Sequence, residues 1–408
     1  MDSSDTDDSI SIQLVDTSTR RPKYWILFGL LMVLLVFLTL NYDGETHRSF
    51  TLVLIENTTT ETYRPLTESP EKHIYMDLAN QCGGVSNMIF RIVSLYGIGR
   101  RLNRAPCLEG KCVVNYQTEL FAAFPNLQLI ELKERCSYHS KVAVKFAVKS
   151  SRLFEDPETL LQYENETTIR LSISYLQNFL YFKDVHGEVR NLLKFSVELN
   201  KIVDEYVNDQ LFKTDEDRKS TKVCVHMRGT DFGTIKSTFT RLISSSFYLS
   251  DHPLLPSSLE FTLPAIQFLV QKAAEDANST NLSIVLFSED IKFVKNITSQ
   301  LKTSNLKLFY PETLQRLGYM NMISRYCDYL LLTASGSTFG WWSAYFLPDF
   351  KQSNVFYNSL IFKPHRPDAA EVFVEANFFP SKWNRLSLVD GNESEIEWQN
   401  RTLPGRHI

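Results

Sequence analysis

From residue 222 to residue 346 one three-part pattern repeats: a short apolar strand, a polar loop, then a helix. Lys222–His226 runs into a polar stretch, and a helix follows near 263–276. Ser283–Phe287 leads into Ser288-Glu289-Asp290 and a helix to about Leu301. Leu306–Phe309 precedes a helix ending at Tyr326. Tyr329–Leu332 leads into Ala334-Ser-Gly-Ser-Thr-Phe-Gly340 and the apolar helix Trp341–Phe346. Strands that alternate with helices build a parallel sheet covered by helices on its faces. The loops 226–231, 288–290 and 334–340 then gather at one edge of that sheet, where ligands bind in such folds.

The first half carries a weaker version of the pattern. A strand at Ile74–Leu78 leads through a Gly83-Gly84 turn to a helix over 87–103. Its apolar residues Met88, Ile89, Ile92, Val93 and Tyr96 line one face. Strands are expected at 141–147 and 169–173, and one long helix across 187–208. The expected fold class is α/β, with a Rossmann-like unit at 73–215 and a second at 216–408.

What precedes residue 73 has another character. Tyr24 to Tyr42 contains no charged residue, and as a helix it would span roughly 28 Å, close to a bilayer core. Arg20, Arg21 and Lys23 come before it, Asp43 and Glu45 after it. The cation bias predicts a cytosolic tail at 1–23, a signal anchor at 24–42 and translocation of the rest. A cleaved signal peptide fits less well, because no small-residue cleavage site follows at once. Residues 43–72 are rich in Thr, Glu and Pro and read as a stem. The expected location is the Golgi membrane, with the bulk of the chain lumenal.

Seven N-x-[ST] acceptors agree with that topology: Asn57, Asn165, Asn278, Asn281, Asn296, Asn392 and Asn400 all follow the apolar run. So do all six cysteines, which are therefore permitted to form disulfides. Cys107 and Cys112 suggest a short disulfide loop, and Cys224 reads as a buried thiol within its strand. No C-x-x-C occurs and the eight histidines are scattered, so no metal site is expected. The formal net charge of −4 leaves no electrostatic footprint for nucleic acid.

The chemistry concentrates in Val223-Cys-Val-His226-Met-Arg228-Gly-Thr-Asp231. An arginine at a strand end offers a planar fork suited to a diphosphate. His226 and Asp231 are placed to orient that fork or to move a proton. Ser337, Thr338 and Phe339 open a helix whose amides form an anion site; the plainer reading is an ordinary cap. Glu289 and Asp290 are candidates for accepting from a nucleobase or ribose, or simply acidic residues favoured at a helix start. Trp341 and Trp342 read as core. The only D-x-D after the apolar run, Asp215-Glu-Asp217, precedes a strand and reads as a solvated face.

Together these stretches resemble the alpha-1,2-fucosyltransferase family. The first motif appears as Gly83-Gly84-Val-Ser-Asn87-Met-Ile-Phe90 and a middle segment as Tyr175-Leu-Gln177-Asn-Phe-Leu-Tyr181-Phe182. The others are His226-Met-Arg228-Gly-Thr-Asp231, Phe287-Ser288-Glu289-Asp290 and Ser337-Thr338-Phe339-Gly-Trp341-Trp342. The resemblance implies a GT-B-like pair of Rossmann-type domains, GDP-fucose as donor, inversion at the sugar and no metal or other cofactor. It also implies donor contacts from Gly83, Gly84, Asn87, Ser288, Glu289, Asp290, Ser337, Thr338 and Phe339. Two departures stand out: Gly229 replaces the second arginine of the family doublet, and Ser86 and Met88 replace a Gly and a Gln.

Arg228 is then expected to stabilise the leaving diphosphate, with Asp231 or His226 as base or as orienting group. The acceptor is expected to be a glycan hydroxyl, galactose O-2 by family analogy. Two rivals remain: a protein O-fucosyltransferase, and a non-catalytic relative that binds sugar nucleotide or glycan, which the loss of an arginine at Gly229 would suit.

Overall fold

The structure, a computed structural model, describes residues 72–78, 83–136, 142–173, 175–229, 253–301, 306–364, 373–389 and 392–400. The expected tail and anchor, the stem up to residue 71, and Asp231 lie outside the described residues. Among the described residues no helix is long and apolar enough to cross a membrane.

Two sheets carry the fold. The first comprises β1 (His73–Asp77), β2 (Ala105–Glu109), β3 (Glu131–Lys133), β4 (Val142–Lys145) and β5 (Thr168–Ser172), all parallel, in the order β3-β2-β1-β5-β4. The second comprises β6 (Thr221–His226), β7 (Leu282–Phe287), β8 (Lys307–Phe309), β9 (Tyr329–Leu332), β10 (Val355–Asn358), β11 (Asn384–Val389) and β12 (Asn392–Gln399). Its order is β12-β11-β10-β9-β6-β7-β8, with only β12 antiparallel to its neighbour. Counted from β6, the parallel strands run 3-2-1-4-5-6, the order of a dinucleotide-binding fold. The order reverses between β6 and β9, so the crevice belongs outside the carboxyl ends of those two strands.

The apolar strands predicted in the second half form where expected, and β6, β7, β9 and β10 are buried almost throughout. Helices on both faces remove them from water, as a parallel sheet requires. The long helix expected at 187–208 is instead two, His186–Leu192 and Val197–Tyr206. Ser196 breaks it: its side chain accepts from the Leu199 amide at 3.2 Å and caps a new helix. The helix expected at Trp341 starts earlier, at Thr338, because Ser337 caps it.

An aromatic cluster joins the two halves. Phe90, on the helix Val85–Leu102, lies 4.7 Å from the Trp341 ring and 4.9 Å from Trp342. Phe182 stacks on Trp342 at 5.9 Å, and the Trp341 indole donates to the Phe378 carbonyl at 2.8 Å. Both tryptophans are fully buried, so they are core, as expected.

The cysteines depart from expectation. Cys107 pairs with Cys136, not Cys112, because β3 runs beside β2 and carries Cys136 back within reach, Cα–Cα 6.3 Å. Cys112 is also disulfide-bonded. Cys224 is no free thiol: it is joined to Cys327, which lies just before the start of β9, the neighbour of β6. Asp217 is not solvated either. It is buried, completes a capping box with Thr214 and pairs with Lys307 at 2.7 Å. Of the sequons, Asn165, Asn278, Asn296 and Asn400 are exposed, whereas Asn281 is half-buried and donates to the Glu216 carbonyl at 3.3 Å.

Candidate active site

Register places the site. His226, at the end of β6, stands opposite Phe287 of β7 and Leu332 of β9. The loops that leave these three strands therefore start at one level. Main-chain positions at the β6 exit are fixed by a small buried network. Ser257 Oγ accepts from the Arg228 amide at 2.9 Å and lies 2.6 Å from the Thr333 hydroxyl. Thr333 donates from its hydroxyl and its amide to the His226 carbonyl, at 3.0 and 3.1 Å. Neither Ser257 nor Thr333 was singled out from the sequence, since lone hydroxyls give no local signal.

His226 fills the gap between strand end and helix start. Its ring stacks on Phe339 at 5.5 Å, and a Cβ added at Gly340 would lie 2.8 Å from its Nδ1. Gly340 is thus required for this close approach. Burial first, then the neighbouring Arg228 charge, push the imidazole down to about 3. Nδ1 is buried with no partner among the described residues. A neutral imidazole so hard to protonate is a weak base, and this geometry favours an orienting role over proton transfer.

Arg228 and Gly229 are half-buried. A Cβ at Gly229 would come within 3.0 Å of Asp290 Oδ2, so the family's arginine here would sit beside that carboxylate. The Gly229 backbone is outside the left-handed region, and no backbone strain bars such a side chain.

Two cavities meet at Arg228, Glu289, Arg316 and Phe339. One, about 700 Å³, opens over the ends of β6 to β8. His226, Phe287, Ser288, Tyr310, Leu314 and Tyr319 are among its walls. Its aromatic lining and its size suit a nucleoside. Tyr310 donates to the Ser288 carbonyl at 2.8 Å and Tyr319 to the Pro311 carbonyl at 3.2 Å, which fixes both rings. Burial pushes the Tyr319 phenol up to about 12 and also raises Tyr310.

The second cavity, about 500 Å³, lies between the two sheets and is polar. From the first sheet's side come Gly84, Ser86 and Asn87 in the opening turn of the helix Val85–Leu102, together with Arg152, Tyr175 and Gln177. Gln177 donates to Asn87 Oδ1 at 2.7 Å. The Arg91 guanidinium lies 4.2 Å over the Tyr175 ring, and burial lowers it to about 10. From the second sheet's side come Arg228, Glu289, Arg316, Gly336, Thr338 and Phe339.

The sequence-derived residues divide accordingly. Gly84, Asn87, Arg228, Glu289, Thr338 and Phe339 line the inter-sheet cavity, and His226 and Ser288 line the other. Asp290 and Ser337 line neither. Asp290 caps its helix by accepting from the Phe293 amide at 3.0 Å, and Ser337 accepts from Gly340 at 3.4 Å. Gly83 is exposed, and its carbonyl accepts from Tyr116 at 2.8 Å. Tyr310, Tyr319, Arg316 and Arg152 were missed. The first three follow β8 in the same strand–loop–helix pattern, which pointed to them; nothing local marks Arg152. Among the described residues no group of three or more His, Cys, Asp or Glu could hold a metal ion.

No family model matches the chain. Two proteins of Caenorhabditis elegans named galactoside 2-alpha-L-fucosyltransferase align with it. One is 24% identical over 315 residues, covering 75% of this chain and 77% of that protein. The other is 25% identical over 334 residues, covering 74% of each. Among solved structures, NodZ alpha-1,6-fucosyltransferase soaked with GDP-fucose overlays with a TM-score of 0.43 at 10% identity, covering 80% of this chain and 99% of that one. POFUT1 in complex with GDP-fucose overlays at 0.39 and 13% identity, covering 68% and 95%. These alignments span about three quarters of the sequence, and the chain is a glycosyltransferase related to the galactoside 2-alpha-L-fucosyltransferases.

Proposed function

We propose that this protein transfers L-fucose from GDP-fucose to a glycan hydroxyl, galactose O-2 by the name its relatives carry, with inversion at the anomeric carbon. The observation that carries this reading is the placement of Arg228 where the two cavities meet, at the switch point of a 3-2-1-4-5-6 sheet. A guanosine fits the aromatic cavity, its diphosphate then reaches Arg228, and the sugar enters the polar space between the sheets.

An acceptor hydroxyl attacks the anomeric carbon from the face opposite the diphosphate. The C–O bond to phosphate breaks as the new C–O bond forms, through an oxocarbenium-like transition state. Negative charge grows on the departing diphosphate, and Arg228 meets it with charge-assisted donors fixed in place beforehand. The backbone network through Ser257 and Thr333 holds that position, so little reorganisation accompanies the reaction. Amides at the start of the helices Val85–Leu102 and Thr338–Tyr345 add partial positive charge on the same side. The acceptor proton goes to a carboxylate rather than to His226, whose imidazole is too hard to protonate. Glu289, which lines both cavities, and Asp231 are the choices. We place the protein in the Golgi membrane as a type II enzyme anchored by residues 24–42, a reading that rests on the charge pattern and the sequons.

Incubating full-length protein in detergent with GDP-fucose and a glycan array, with and without EDTA, tests the reading. Fucose on terminal galactose, α1,2-linked by linkage analysis and undiminished by EDTA, is expected. Transfer only to folded protein acceptors would favour the protein O-fucosyltransferase alternative. Donor binding without any turnover would mark a non-catalytic relative.

A further inference from the structure

We propose that Arg152, on the first sheet's side of the inter-sheet cavity, is a second anion-binding residue that meets the donor diphosphate opposite Arg228. The proposal rests on the donor reading above. Arg152 follows β4 in an irregular stretch, and it lines the cavity that also holds Arg228 and Arg316. Among the described residues its walls carry three arginines and one carboxylate residue, Glu289. The surroundings of Arg152 are those of a cation awaiting a partner. One Nη donates to the Gly336 carbonyl at 3.0 Å, and the guanidinium carbon lies 5.5 Å over the Phe378 ring. Nε is buried with no partner, and no carboxylate pairs with the group among the described residues.

A carbonyl dipole and a ring face only partly offset the loss of water around a buried charge. The mismatch also lowers the group's proton affinity to about 10, through burial alone. A ligand with two or more negative charges would complete the site. Hydrogen bonds to the next segment hold this stretch in place. The Arg152 carbonyl accepts from Asn178 at 2.8 Å, and the Gln177 amide donates to the Ser151 carbonyl at 2.6 Å. Through Gly336 the same side chain touches the loop that opens the helix at Thr338, so its fork can serve loop and ligand together.

The test compares wild type, Arg152→Gln and Arg152→Lys, all full-length in detergent. Calorimetry gives affinities for GDP and guanosine, and melts without ligand give stability. Arg152→Gln is expected to weaken GDP about 10- to 100-fold, to leave guanosine unchanged, and to hold or raise Tm, because an uncompensated charge is gone. Arg152→Lys, which keeps the charge but not the fork, should fall between. Equal GDP affinity in wild type and Arg152→Gln would overturn the inference while leaving the donor reading intact. A parallel loss of GDP, guanosine and Tm would overturn it too, by making Arg152 a structural tie to Gly336. A wild-type protein that binds no GDP would remove the donor reading, and this inference with it.

Discussion

At the second sheet, the polar groups of the cavity follow the ends of β6, β7 and β9, which lie at one level, and Arg316 opens the helix after β8. At the first, they come from a helix start, from the irregular stretch after β4 and from the segment after β5. The first arrangement follows from strand register alone. The second depends on where each irregular segment happens to pack. The difference teaches that the switch-point side is specified locally and repeats down the sequence, whereas the facing side is assembled by tertiary contacts such as Gln177 on Asn87 and Arg152 on Gly336.

That contrast can be strained first through the disulfides, where the largest stability effect lies. Cys224–Cys327 closes a span of 103 residues in the second sheet, and Cys107–Cys136 one of 29 in the first. Chain-entropy reasoning gives about 4.7 kcal/mol for the longer loop and about 3.6 kcal/mol for the shorter. Cys224→Ala/Cys327→Ala should therefore lower Tm more than Cys107→Ala/Cys136→Ala. The reverse order would mean that the β6–β9 seam holds without its cross-link.

The neighbours Glu289 and Asp290 sharpen the comparison next. Glu289 lines both cavities, while Asp290 caps a helix. Glu289→Ala should lower kcat/KM for GDP-fucose by at least about tenfold with little change in Tm. Asp290→Ala should cost about 1 kcal/mol of stability, with a smaller kinetic effect. Denaturant melts and steady-state kinetics on both variants separate the roles, and swapped outcomes would reverse the assignment.

How much of this was legible in the sequence follows from the same physics. The second sheet's strands are continuous apolar runs bounded by polar loops, so their pattern survives in the chain as written. The parallel sheet, the loops at Arg228 and Glu289, and the core role of Trp341 and Trp342 were readable. Ser337 and Asp290 look alike as ligand contacts and as caps until the amide they bond is known. The break within 187–208 is marked by Ser196, whose side chain caps the second helix. Cys136 and Cys327 were invisible as partners because pairing needs strand order, which spacing does not give. Arg152 had no local mark at all, since its meaning comes from Gly336, 184 residues away.

An effect that appears only on acidification concerns His226. Its folded value near 3 lies below the unfolded value of 6.5, so the unfolded chain takes up the proton first. Stability attributable to His226 is fully present above pH 6.5 and is lost as pH falls from there toward 3. His226→Phe should flatten the dependence of Tm on pH between about 6.5 and about 4, relative to wild type. His73 and His186, also lowered by burial, keep part of the slope. An unchanged slope would mean that the ring is protonated without cost.

The central claim is that Arg228 at the β6 exit holds the departing diphosphate. The direct measurement is kcat/KM for GDP-fucose in Arg228→Lys and Arg228→Ala against wild type, with melts as the folding control. A fall of about 100-fold or more in Arg228→Ala, and of at least about tenfold in Arg228→Lys because its fork is lost, is expected at unchanged Tm. Near wild-type transfer by a well-folded Arg228→Ala protein would contradict the account and move the donor site away from the end of β6.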